Sequence, residues 1–323
     1  MGPLLRSYGT LIGVVAIIVF FWIMLPDTFM TLRNWLTVSQ QVSMLIVVAA
    51  GMTVVMVMGD FDLSVGAMAS LAGVVAAVLF SLGYGVPVAL AGALLVGVAG
   101  GALNGALVSL LGILPFVATL ATLTIFSGAA FLVSDGKTIS GKVIPDAFSG
   151  FAKGGIPLGM IGGKPALLPW LTVLALSIVA VVWVVLEQTS FGRRLYAIGG
   201  NMEAARLAGV RVTRLRLLAF LFTGVGAALA GLMYSARVAS ANPTQGDGLM
   251  LSAIAAVFLG MTMTRGGEPR VLATLVGVVV LGVMDNGLTQ LQIDSYVREV
   301  LVGVIILAAV SISAIGRRAA GLR

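Results

Sequence analysis

SFGRRLYAIGGNMEAARLAGVRVTRLR, residues 190–216, carries six arginines (Arg193, Arg194, Arg206, Arg211, Arg214 and Arg216) in a chain otherwise almost free of charge. Apolar runs long enough to cross a bilayer, about 20 residues each, flank it on both sides. Inside the stretch, Asn201 is a helix-capping residue, Glu203 suits the positive end of a helix dipole, and Ala204, Ala205 and Arg206 are good helix formers. Gly209 supplies the stop, because glycine enters the left-handed cap conformation without strain. The spacing predicts a helix of about two turns, too short to be stable alone in water. Such a helix needs a surface to rest on, and the stretch reads as a plug for a cytoplasmic partner.

Of the 323 residues, 59% are hydrophobic and 10% are charged, with a mean hydropathy of +1.13. Soluble proteins are about 25% charged, so the solvent for this chain is lipid. One integral membrane domain spanning 1–323 is expected. The net charge of +7 is assigned to the basic loops that orient membrane proteins, not to nucleic acid. There is no cysteine and no histidine, which removes the thiolate nucleophile, the commonest general base and the commonest metal ligand. These absences argue against a membrane enzyme and against a metal site.

Working outward, the apolar runs give about ten transmembrane helices in one all-α bundle. Residues 10–25 form the first; Pro26, Asp27, Thr28 and Phe29 follow it in place of a small-residue cleavage site, so it is read as a span. Residues 34–59 form the second. Residues 63–134 contain no charge and fit three spans, broken at Gly83–Pro87 and Gly112–Pro115. A glycine-rich loop, 134–166, holds all four lysines, and 165–186 is the sixth span. After the basic stretch come 217–236, 248–264, 271–293 and 300–316. This count places twelve basic residues on the side of the termini and seven on the other, so the termini and 190–216 are expected to be cytoplasmic. Gly97, Gly101 and Gly105 recur every fourth residue and predict a close helix approach.

Three constellations are candidates for function. In GDFDLSVG (59–66), the acids either sit solvated in a cytoplasmic turn, or mark a broken helix with Asp62 or Ser64 facing a permeation path. Asp285 and Asn286 lie about 21 Å into the ninth span at 1.5 Å per residue. There Asp285 either pairs with Arg298 or Arg237 or lines a wet cavity. Asn104, on the glycine face, either bonds to a neighbouring helix or contacts substrate. Gly136-Lys137-Thr138 lacks the earlier glycine and the strand of a phosphate loop and is read as ordinary loop. Trp22, Trp35, Trp170 and Trp183 fall near span ends, as an interfacial belt does.

EAARLAG, Glu203 to Gly209, resembles the core of the cytoplasmic coupling loop of ABC importer permeases, without the Leu-Pro pair that ends its fuller form. GDFDLSVG, NGALVSLLGILPFVATLAT (104–122) and ANPTQGDG…AIAAVFLG…GG…NGL (241–288) resemble the ribose/xylose/arabinose-type (carbohydrate uptake 2) permeases over nearly the whole chain. Asp60 and Phe61 stand where that signature has Gly and Ile, Met250 and Leu251 where it has Glu-Leu, and Met261 where it has Gly. The resemblance implies a permease of the bacterial inner membrane for a pentose, hexose or polyol. It implies a cytoplasmic ABC ATPase on Asn201–Gly209, holding the ATP and Mg, and a periplasmic sugar-binding protein near 134–166. A second permease subunit, identical or related, completes the set. The rival expectation is a stand-alone secondary transporter or channel, which usually buries ionisable groups for ion coupling; Asp285 is the candidate here.

Overall fold

The computed structural model describes residues 3–297 together with 299–301, 303–305 and 307. Along the described residues the following helices come in order: α1 (Pro3–Met24), α2 (Leu32–Met56), α3 (Val65–Ser81), α4 (Val86–Ser109), α5 (Pro115–Ser134), α6 (Asp146–Lys153), α7 (Trp170–Trp183), α8 (Ser190–Gly200), α9 (Met202–Leu207), α10 (Val212–Val238), α11 (Leu249–Met261) and α12 (Val271–Gln290). Short strands accompany them: β1 (Ile139–Ser140), β2 (Gly155–Ile161), β3 (Lys164–Pro169) and β4 (Ser240–Ala241). Among the described residues six helices are long and apolar enough to cross a membrane: α2, α4, α5, α7 with its π-helical extension to Gln188, α10 and α12. Shorter apolar helices are residues 12–24 of α1, α3 and α11. Most of the tenth predicted span, 300–316, and Arg298, Arg317, Arg318 and Arg323 lie outside the described residues.

α2 and α10 form the centre. In their most apolar 18-residue windows 78% and 61% of positions are buried, against 28% for α4 and α5, which turn their remaining faces outward. The predicted glycine face of α4 packs on α10. A β-carbon on Gly101 would stand 2.5 Å from the Phe220 carbonyl oxygen, and one on Gly105 would stand 2.9 Å from the Leu217 α-carbon. Dispersion between touching backbones, not water exclusion, drives such contacts in lipid. At the start of α2, Thr31 caps the helix by accepting from Asn34 N–H. There α1 rests on α12 through Phe21, which meets Phe29 and lies against Gly287.

Two helices stop short of a full crossing. At 1.5 Å per residue α3 is about 25 Å long and α11 about 20 Å, below the ~30 Å hydrocarbon core. Both begin inside the bundle, and their leading segments touch: a β-carbon on Gly66 would stand 2.6 Å from the Gly246 carbonyl oxygen. Irregular backbone at that depth survives only when protein groups satisfy it. Ser70 Oγ accepts from Gly246 N–H at 2.8 Å, and the buried Gln245 amide donates to Ser235 Oγ at 3.0 Å.

The all-α expectation needs one correction. The glycine-rich loop after α5 folds into structure of its own: β1 pairs antiparallel with β4, β2 with β3, and α6 lies between them. α6 is amphipathic and buries Phe148 against Phe80, while Phe151 stacks on Trp170. Because α10 runs from the basic stretch to β4, this cap sits at the end of the bundle opposite that stretch.

Candidate functional site

The basic stretch is an arm of two helices. Thr189 caps α8, accepting from Gly192 N–H, and α8 buries Gly192, Leu195 and Ile198. Gly199 rests on the end of α2: a β-carbon there would stand 2.0 Å from the Val57 carbonyl oxygen. Tyr196 places its hydroxyl 3.0 Å from the Pro269 carbonyl and 3.2 Å from Glu187 Oε1, and Arg270 Nη1 pairs with Glu187 Oε2 at 3.2 Å. Burial and the adjacent Glu187 carboxylate hold the Tyr196 phenol above its usual pKa. The arm is thus seated on the ends of α2 and α7 and on the connection between α11 and α12.

α9 projects from this seat. Asn201 Oδ1 accepts from Ala204 N–H at 2.9 Å, and Gly209, at φ +82°, turns the chain back toward α10. Ala205 faces inward, whereas Glu203, Ala204, Arg206 and Ala208 are exposed, and Leu207 is 82% exposed. Glu203 and Arg206 lie 3.7 Å apart in the open, a pair of little energetic weight. Beside α9, Arg194, Arg211 and Arg214 line a groove with Phe191 and Leu218.

Above the arm, residues 57–64 join α2 to α3. Asp60 and Asp62 are 4% and 0% exposed, so the solvated-turn reading does not hold. Asp60 is gripped by Arg216 through two hydrogen bonds, Nε to Oδ2 at 2.7 Å and Nη2 to Oδ1 at 2.6 Å. Asp62 Oδ1 accepts from Ser64 N–H (3.0 Å), Ser64 Oγ (2.6 Å) and Asn104 Nδ2 (3.3 Å). Asn104 also donates to Ser64 Oγ at 2.8 Å and accepts from Thr122 Oγ1 at 2.6 Å. Thr119, equally buried, places its hydroxyl 3.5 Å from the Phe61 carbonyl. Among the described residues Asp62 Oδ2 is buried without a hydrogen-bond partner.

Three of the five predicted path residues, Asp62, Ser64 and Asn104, therefore share one buried cluster, and Thr119 and Thr122 complete it. Their one signal in the sequence is the i, i+3 threonine spacing in a charge-free helix. Asp285 and Asn286 do not join them. Asp285 is exposed on α12; Asn286 is buried and accepts from Asn34 Nδ2 (3.0 Å) and Gln290 Nε2 (2.8 Å). That amide cluster flanks the first turn of α2, roughly 30 Å along the helix from residues 57–64. Among the described residues no group of three acidic side chains is gathered to hold a metal ion.

Comparison with known proteins carries the arrangement further. The family described as branched-chain amino acid transport system / permease component matches residues 34–310. The chain belongs to that family. The permease is 36% identical over 309 residues to the ribose import permease of Bacillus subtilis, covering 95% of this chain and 92% of that one. It is 34% identical to the ribose import permease of Escherichia coli, over 95% and 93% of the two chains. Against the L-arabinose transport system permease of Escherichia coli the figures are 36%, 96% and 90%. No solved structure matches the permease.

Proposed function

We propose that this permease is the membrane-spanning subunit of an ATP-driven, binding-protein-dependent importer for a sugar of the pentose, hexose or polyol class. The observation that carries the reading is α9, a short capped helix standing off a basic arm with Leu207 bare. A capped helix that projects from the bundle and is too short to be stable alone supports a docking role, and Leu207 is the apolar side chain it offers. We assign it to a cytoplasmic ABC ATPase, with Asn201, Glu203, Ala204, Ala205, Arg206 and Gly209 forming the coupling helix. ATP and Mg are held by that partner. The arm end and both termini are then cytoplasmic, in a bundle of about ten spans.

The opposite end, with its α6 and hairpin cap over residues 134–166, faces a periplasmic sugar-binding protein, and a second permease subunit completes the assembly. The path passes the inner ends of α3 and α11, where broken helices commonly form substrate sites in transporters. Asp62, Ser64 and Asn104 stand toward the arm, and Asp285 and Asn286 toward the far face. Amides, hydroxyls and acids of this kind are what a neutral polyhydroxyl solute requires.

The test is uptake of labelled D-ribose, L-arabinose and D-allose into cells producing the permease with its ATPase and binding protein. Uptake that stops on ATP depletion and persists with a protonophore supports the proposal. Uptake abolished by the protonophore and indifferent to ATP would establish a secondary transporter instead.

A further inference from the structure

We infer that the Asp60–Arg216 ion pair is the link through which movement of the arm reaches the path, and that it sets how much solute moves per ATP. This rests on the coupling role proposed for α9. Arg216 is the fifth residue of α10, separated from α9 only by residues 208–211, so displacement of α9 acts directly on the foot of α10. Asp60 belongs to residues 57–64, which touch α4, α5 and α11. Asp62 and Ser64 bond to Asn104 of α4, the Phe61 carbonyl meets Thr119 of α5, and the Phe61 ring meets Phe258 of α11 at 6.2 Å. From below, Gly199 of α8 presses on Val57. The segment is clamped by both helices adjoining α9 and turns at Gly59, whose φ of +83° closes α2, with Gly59 N–H on the Met56 carbonyl and Asp60 N–H on the Val55 carbonyl.

The pair is built to transmit force. Its side chains are 16% and 5% exposed, while each of the other described ion pairs has at least one partner about half exposed or more. A two-pronged guanidinium–carboxylate contact fixes orientation as well as distance, which a single exposed pair does not. Phe61 and Asp62 follow Asp60 immediately, so a pull on its carboxylate is felt by the Phe258 contact and the Asn104 cluster together.

The experiment uses the permease isolated with its ATPase and binding protein and placed in liposomes, with D-ribose, L-arabinose and D-allose as probes. The readout is solute moved per ATP hydrolysed. Asp60→Asn and Arg216→Gln should keep the ATPase bound and hydrolysing while that ratio falls at least tenfold. Arg216→Lys, which keeps the charge and loses the fork, should fall between. The Asp60→Asn/Arg216→Gln double variant, in which neither partner is left as an unpaired charge, should fold normally and be no worse than either single. A wild-type ratio in the assembled variants would overturn the inference. So would loss of the ATPase, or of folding in the double variant, since the pair would then be only a structural staple. If the unmutated complex moves sugar without ATP, the coupling role itself fails and takes this inference with it.

Discussion

Gly97 of α4 and Gly224 of α10 meet backbone to backbone. A β-carbon on Gly97 would stand 2.6 Å from the Gly224 carbonyl oxygen, and one on Gly224 would stand 2.2 Å from that of Gly97. Gly97→Val or Gly224→Val should therefore lower stability by about 1–3 kcal/mol through overpacking, measured as a lower Tm in detergent. Gly128→Ala in α5, with no packing neighbour among the described residues within 4 Å of its added carbon, should not lower stability. Equal Tm values for all three would contradict the close approach.

Asn104 serves Asp62, Ser64 and Thr122 at once, so its loss strands several buried polar groups. Asn104→Ala should cost about 1–3 kcal/mol, whereas Thr122→Val, which removes one donor, should cost about 1 kcal/mol. Thermal unfolding of the purified permease decides it. An Asn104→Ala protein as stable as the original would mean the cluster is not a network.

Leu207 makes no demand on the fold, being 82% exposed. Leu207→Asp should leave Tm unchanged and reduce recovery of the ATPase with the permease at least tenfold. Full recovery of the ATPase would move the docking surface elsewhere.

Tyr196 gives the arm an alkaline limit. Its phenol is raised above the usual ~10 by burial and by Glu187, so the native state holds its proton longer than the unfolded chain does. That contribution is complete below about pH 10 and is lost as pH rises from there toward the native value. From about pH 9 to pH 11 the original protein should lose more stability than Tyr196→Phe, whose phenyl ring cannot ionise. Parallel stability curves would remove the argument.

Composition alone determined the solvent, because a chain with 10% charged residues and apolar runs of spanning length has no alternative to lipid. The capping chemistry of Asn201 and Gly209 and the glycine face of α4 were equally legible, since each depends on residues within one or two helical turns. What required the tertiary structure was every contact between distant parts of the chain. Asp60 and Arg216 are 156 positions apart, and in the sequence Arg216 is one of six arginines in a run whose charges look alike. Asp62 looked as suited to a solvated turn as to the interior, because a carboxylate's surroundings are set by the helices that close over it. The small sheets of the cap have almost no signature in the sequence, because two-residue strands and a glycine-rich hairpin leave almost no periodic pattern. Local chemistry is written in neighbouring residues; burial and pairing are decided only when helices from far along the chain come together.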